Sequence, residues 1–183
     1  MSNLYLNSSA RSLGEIYEDA KQSGEQVKLY KYLVDKGFDY GEELGDAYEK
    51  AGQPVLARAT RLQTVHKLEI EANKPDAVAH DYYALAKLLE VIKDRPKQKA
   101  TLLAGNKKFP EDYSIAAKLG AILVQDRQYA VAISILTVAL PAVKAEYKAL
   151  RTELLKLLRT AYTSSGRVED ARKVDEQLAQ LVS

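Results

Sequence analysis

The chain has 183 residues, of which 46% are hydrophobic and 28% charged, as expected for a soluble folded protein that forms one compact domain or a short repeat array. Cysteine is absent, which excludes disulfides, thiol nucleophiles and thiolate metal sites. The net charge of +2 is unevenly distributed: residues 1–50 carry six Lys or Arg against ten Asp or Glu, whereas residues 54–110 carry eleven against six.

Apolar residues recur at i, i+3, i+4 and i+7 through most of the sequence, and Gly or Pro residues separate these stripes. The pattern predicts ten helices, near residues 9–21, 25–36, 40–51, 54–73, 77–93, 96–108, 111–125, 128–142, 144–164 and 168–181. Because every connection is short, consecutive helices should run antiparallel. The sequence therefore predicts a single all-α domain over residues 1–183, with hairpins near 9–36, 40–73, 77–108, 111–142 and 144–181.

Two features argue against export or membrane insertion. Residues 1–7 lack a basic patch followed by an apolar run, which is the pattern of a signal peptide. The longest apolar run, Tyr129 to Leu140, is too short to span a bilayer. The sequence therefore predicts a soluble, cytoplasmic protein.

A short motif recurs along the predicted helices. Leu13-Gly14-x-x-Tyr17 returns as Leu44-Gly45-x-x-Tyr48, and Leu119-Gly120-x-x-Leu123 and Leu158-x-x-x-Tyr162 keep its spacing. In the last three of these units, a small residue lies thirteen positions after the Leu: Ala57, Ala132 and Ala171. Small residues let two helices approach closely, and such a hairpin buries its apolar face only by stacking on its neighbours.

This recurrence resembles the tetratricopeptide repeat (TPR), a helix–turn–helix unit of about 34 residues. The resemblance implies about ten antiparallel helices in five helix–turn–helix repeats that form a short right-handed solenoid. The middle unit, around Tyr82–Lys108, fits only if the register shifts to use Leu89 and Ala100. Arg61 and Asp175 occupy a place where a bulky apolar residue is usual.

The TPR resemblance also implies a function, since such arrays usually bind a peptide or protein segment in the groove lined by the first helix of each hairpin. The chain is therefore expected to be a non-enzymatic interaction module, a scaffold or adaptor. The candidate partner-binding residues are acidic residues on the first two of these helices: Glu15, Glu18, Asp19, Glu42, Asp46 and Glu49. Like charges at i, i+4 destabilise a helix by about 0.2–0.5 kcal/mol per pair, which favours a role in attracting a basic partner segment. Solvated helix surface is the alternative explanation.

Two other functions stay open. The basic region from Lys93 to Lys108 would suit RNA or another nucleic acid, although Phe109 is the only aromatic residue beside it and such sites need stacking side chains. The second alternative function is self-assembly, in which one end of the array binds another copy of the chain. The sequence does not determine the oligomeric state. The carboxylate clamp found in some TPR proteins is not expected, because its places in the first two units hold Arg11, Glu15 and Asp46.

Enzymatic chemistry has little support in the sequence. His66 and His80 are the only histidines, and no Cys or His-x-x-x-His spacing accompanies them. A glycine-rich phosphate loop and a nucleophile elbow are also missing. We therefore expect no catalytic residues, no metal and no cofactor.

Overall fold

The computed structural model of the chain describes residues 2–182, with the side chains of residues 8–181. Ten α-helices and a short 3₁₀ helix at Leu140–Ala142 form the regular structure, and this range contains no strand. The helices are α1 (Ser2–Asp19), α2 (Ser23–Asp35), α3 (Gly41–Lys50), α4 (Pro54–Ala72), α5 (Ala79–Val91), α6 (Arg95–Lys108), α7 (Tyr113–Gln125), α8 (Tyr129–Ala139), α9 (Lys148–Ser164) and α10 (Val168–Val182).

The predicted helices agree with the observed ones to within a few residues, except that α1 begins at Ser2 rather than near residue 9. Side-chain caps fix some of these boundaries: the carboxylates of Asp94 and Asp112 accept hydrogen bonds from the backbone N–H groups of Lys97 and Ile115, at 3.1 and 2.9 Å. Among the described helices, none is long and apolar enough to cross a membrane. The signal-peptide prediction rests on residues 1–7, which lie outside the described side chains.

The chain forms two compact bodies, an N-terminal body of residues 1–70 and a C-terminal body of residues 71–183. The core of the N-terminal body depends on aromatic side chains. Tyr30 and Tyr40 stack with their ring centroids 5.6 Å apart, and they pack with Leu33, Leu44 and Ala57. Such aromatic pairs add stability beyond the area that they bury.

The C-terminal body has a larger aliphatic core. All but one of the largest fully buried side chains described belong to it: Leu88, Leu89, Leu102, Ile115, Leu119, Leu123, Leu136, Val143, Leu154 and Leu155, with Leu33 the exception. Full burial of one Leu or Ile stabilises a fold by about 1.5–3 kcal/mol. The C-terminal body is therefore the part of the chain with the stronger hydrophobic stabilisation.

A shared turn defines the register of all five repeats. After each first helix, one residue has a positive φ: Lys21 (55°), Gly52 (71°), Lys93 (63°), Arg127 (58°) and Gly166 (77°). Counting back eight positions gives the equivalent leucines of the five repeats: Leu13, Leu44, Leu85, Leu119 and Leu158. Leu85 therefore begins the motif of the middle repeat, and the register that the sequence suggested through Leu89 and Ala100 is wrong.

The middle repeat escaped the sequence comparison because of its second helix. The place thirteen positions after Leu85 holds Gln98, where three of the other repeats have Ala. Gln98 is nevertheless buried, with 6% of its surface exposed, and Gln26 occupies the same place in the first repeat with 3% exposed. A sequence pattern that requires a small residue at this position does not match Gln, although both glutamines are buried.

Close helix contacts within a repeat join residues sixteen positions apart. A Cβ on Gly120 would lie 2.8 Å from a methyl carbon of Leu136, closer than carbon atoms pack. The same pairing joins Gly45 to Arg61, where the corresponding distance to Cγ is 2.9 Å. The predicted role of the small residue in letting two helices approach is therefore confirmed, and in the second repeat its partner is an arginine.

Candidate functional site

The six candidate acidic residues lie on two first helices, three on α1 and three on α3. At least three of the six form ion pairs with described residues of the N-terminal body. Glu18 accepts a hydrogen bond from Lys50 Nζ at 2.5 Å, and this bond lowers the pKa of the Glu18 carboxyl. Arg61 binds Asp46 at 2.8 Å through one terminal nitrogen and Glu49 at 2.9 Å through the other. Glu18, Asp46 and Glu49 are therefore locally neutralised.

Arg61 explains part of the acidic stripe on α3. Its side chain lies over Gly45, with 14% of it exposed, and its guanidinium reaches both carboxylates. Its Nε is buried without a hydrogen-bond partner. Asp46 and Glu49 therefore keep a largely buried cation paired at a place where the first, third and fourth repeats carry Tyr30, Leu102 and Leu136, which is a structural role that the sequence did not suggest.

A small cavity of about 80 Å³ brings Glu18 and Asp46 together with Tyr30 and Glu43. Burial raises the pKa of the Glu43 carboxyl, and neighbouring Glu42 adds to the effect. Burial also raises the pKa of the Tyr30 hydroxyl, with the Glu43 carboxylate contributing. Glu43 was not among the predicted candidates, because it is off the i, i+4, i+7 spacing of Glu42, Asp46 and Glu49; in the structure it is partly buried and lines this cavity.

The remaining candidates differ in exposure. Glu15 and Asp19 are exposed on α1, and neither forms an ion pair with a described residue. Glu42 is partly buried at the start of α3. Of the six candidates, Glu15 and Asp19 are thus the ones that are exposed and form no ion pair with a described residue, and the half-buried Glu43 lies beside Tyr30.

The basic region from Lys93 to Lys108 is engaged largely within the C-terminal body. Arg95 binds Asp126 at 2.6 Å and Gln125 at 2.8 Å, and Lys99 binds Asp126 at 2.5 Å. Hydrogen bonds from Lys99 and then Arg95 lower the pKa of the Asp126 carboxyl. Lys108 donates to backbone carbonyls at the start of this body, at 2.9 and 3.2 Å. These bonds leave few of its cations for phosphate groups.

The histidines lie apart from any acidic cluster. His66 and His80 are both exposed, and His66 belongs to α4 whereas His80 belongs to α5. Among the described residues, no group of His, Cys, Asp or Glu is arranged to hold a metal ion.

Solved structures share this arrangement of helices. The TPR-like repeats of a candidate kinesin light chain from Podosopora anserina are 18% identical to this chain, with a TM-score of 0.63 over 95% of this chain and 93% of that one. BtubC (BKLC) from P. vanneervenii is 14% identical, with a TM-score of 0.71 over 97% of this chain and 80% of that one. The chain has a TPR-like fold. A scan of protein-family models and a search of curated proteins gave no match.

The TPR-like fold confirms the predicted all-α class and assigns places to the candidate residues. Helices α1, α3, α5, α7 and α9 are the first helices of the five repeats. All six acidic candidates therefore belong to first helices. At 14–18% identity the comparison extends to the fold, and the residues themselves must carry any further functional argument.

Proposed function

We propose that this TPR-like chain is a non-enzymatic interaction module, a scaffold or adaptor that binds a basic segment of a partner protein. The observation that carries this proposal is the exposed acidic surface on the first helix of the first repeat, where Glu15 and Asp19 have no ion pair with a described residue. First helices are the elements that line the groove of a TPR-like array. The structural matches support the fold in which such a surface would act.

The ion pair between Glu18 and Lys50 fits this function rather than opposing it. Both side chains are about half exposed, and exposed ion pairs contribute only about 0–1 kcal/mol. A lysine or arginine from a partner would therefore replace Lys50 at small cost. Asp46 and Glu49 are less suited to such exchange, because their partner Arg61 is largely buried. The binding surface we propose is thus centred on Glu15, Glu18 and Asp19, with Glu42 and Glu43 on the adjacent helix.

The test is a binding titration with defined peptides, followed by fluorescence anisotropy. The probe is a labelled peptide of alternating Lys and Gly residues, capped at both ends, and a Glu–Gly peptide of equal length is its counterpart. We expect the full-length chain to bind the Lys peptide more tightly. Affinity should fall steeply as salt is raised from about 0.05 to about 0.5 M, because the charges are exposed.

Two double variants locate the surface. Glu15→Gln with Asp19→Asn should weaken Lys-peptide binding by about three- to tenfold, the effect of two exposed charges. Glu111→Gln with Glu146→Gln removes the same charge from exposed positions of the C-terminal body and should leave binding unchanged. Salt-independent binding, or equal losses in both double variants, would contradict the proposed surface.

A further inference from the structure

One polar motif occurs twice in the chain at equivalent repeat positions. In this motif, a Glu lies five positions after the leucine of the repeat, a Lys eight positions after it and a Gln thirteen positions after it. The first repeat holds Glu18, Lys21 and Gln26, and the third holds Glu90, Lys93 and Gln98. The other three repeats lack this combination. The recurrence is separate from the packing motif, because a Glu and a Lys contribute little to a hydrophobic contact.

In the first repeat, the three residues line a cavity of about 300 Å³. Lys50, from the first helix of the second repeat, completes the polar lining by pairing with Glu18 at 2.5 Å. Gln26 is 97% buried, and its Nε2 donates to the backbone oxygen of Gly14 at 2.8 Å. Lys21 forms no ion pair with a described residue.

In the third repeat, the equivalent residues line a cavity of about 410 Å³. Lys118, from the first helix of the fourth repeat, pairs with Glu90 at 2.6 Å, as Lys50 does with Glu18. Gln98 is 94% buried, and no hydrogen bond joins its side chain to any other described residue. Arg95 and Glu153 also line this cavity, and Arg95 is bound to Asp126. Both cavities approach or fall within the size of about 300–1,000 Å³ that is typical of ligand sites.

Both lysines occupy a backbone conformation that favours glycine. Their φ values are 55° for Lys21 and 63° for Lys93, and the same turn position is Gly52 in the second repeat and Gly166 in the fifth. A side chain in this region is strained, and such strain is concentrated at functional sites. In these two repeats, a turn that glycine would form without strain instead presents an unpaired ammonium at the edge of a cavity.

We propose that these two cavities are equivalent subsites, each of which binds the carboxylate of an Asp or Glu side chain in an extended partner segment. The shared lining has two lysines against one glutamate, so each motif carries an excess of one positive charge. Lys21 or Lys93 would form a charge-assisted hydrogen bond with the carboxylate, and the buried Gln98 amide supplies a second donor in the third repeat. This inference goes beyond the basic-segment surface proposed above, because it assigns a ligand of opposite charge to lysine and glutamine side chains, although Glu18 borders both sites.

The experiment follows the side-chain amide signals of Gln26 and Gln98 by two-dimensional NMR of the full-length chain. The probe is a short peptide with two central Asp residues, acetylated at its N-terminus and amidated at its C-terminus. The same peptide with Asn in place of Asp is the neutral control. We expect the Asp peptide to shift both glutamine signals and the Asn peptide to shift neither. Because Glu15 and Asp19 play no part in this site, Glu15→Gln with Asp19→Asn should leave the shifts unchanged.

Glycine variants separate charge from folding. Lys93→Gly should weaken binding at Gln98 by about tenfold, as expected for the loss of one charge-assisted hydrogen bond, and leave the Gln26 signal responsive. Lys21→Gly should do the reverse. Both substitutions place glycine where other repeats have it, so the fold should be kept. Arg127→Gly is the matched control. It removes a cation from the same turn of the fourth repeat, and Arg127 lines neither cavity.

Three results would overturn the proposal. The first is an equal response to the Asp and Asn peptides, and the second is an equal loss of binding in Arg127→Gly and Lys93→Gly. The third is a response only to a neutral peptide with a free C-terminal carboxylate, which would replace the side-chain ligand by a chain end. Failure of the Lys-peptide titration would leave this result unaffected, because the two experiments use different probes and different variants.

Discussion

Arg159 and Asp175 form an ion pair at 2.5 Å, and they occupy the two places of the fifth repeat that Gly120 and Leu136 occupy in the fourth. In the fourth repeat, this pair of places is a tight apolar contact in which Leu136 has no exposed surface. In the fifth, both side chains are about half exposed. The same backbone register therefore supports a buried apolar contact in the fourth repeat and a half-exposed ion pair in the fifth.

Gly120→Ala should destabilise the C-terminal body by about 1–3 kcal/mol, because the added methyl group would overlap Leu136 in a closely packed core. Urea denaturation followed by circular dichroism measures this loss. Arg159→Ala at the equivalent place is the control, and it should change the free energy of unfolding by no more than about 1 kcal/mol. If Gly120→Ala and Arg159→Ala lowered the free energy of unfolding equally, the difference in packing between the fourth and fifth repeats would be contradicted.

Arg127→Gly should stabilise the chain by up to about 1 kcal/mol, because it removes a side chain from a left-handed turn, and the greater freedom of glycine in the unfolded chain offsets part of the gain. The reverse change, Gly52→Ala, should destabilise by about 1 kcal/mol or more, since φ there is 71°. Thermal unfolding of both variants measures the difference. A loss of stability in Arg127→Gly would contradict the strain argument.

Arg61→Met tests whether the buried arginine contributes to folding. A methionine would fill the space over Gly45 and leave no unsatisfied Nε, and Asp46 and Glu49 would stay hydrated because both are more than half exposed. We expect a change within about 1 kcal/mol of wild type in urea denaturation. Arg61→Ala, which removes the packing as well, should cost more. A large loss in the methionine variant would instead identify Asp46 and Glu49 as essential partners of Arg61.

Glu43→Gln should stabilise the N-terminal body at neutral pH and have little effect in acid. Burial raises the pKa of Glu43 in the folded state, so the folded protein holds this proton more tightly than the unfolded chain does. Ionisation therefore removes stability as pH rises through the ordinary Glu pKa of about 4.3 towards the raised value. Urea denaturation across this range measures the effect. If Glu43→Gln stabilised the protein most below this pH range, the pH dependence would have the opposite sign to the one expected, and the prediction would be wrong.

Helix positions were largely predictable from the sequence, because the apolar stripes and the Gly or Pro residues between them reflect local rules. The repeat motif was also predictable where the small positions are occupied by Gly or Ala, as at Gly45 with Ala57 and at Gly120 with Ala132. The register of the third repeat was not predictable in this way, because Gln98 occupies the position of the small residue and is nevertheless buried. Burial of a polar side chain depends on what surrounds it, and a spacing pattern does not contain that information.

The candidate site shows the same division. The sequence by itself determined which helices carry acidic side chains, since i, i+3 and i+4 spacing assigns residues to a face. Only the tertiary structure decided which of these charges are paired, because Lys50 and Arg61 reach Glu18, Asp46 and Glu49 from other helices. Tertiary structure likewise placed Lys21 and Lys93 at the edges of cavities, on turns whose φ values no composition reveals. Periodicity along one helix is a local property, whereas charge pairing and cavity lining depend on distances between helices.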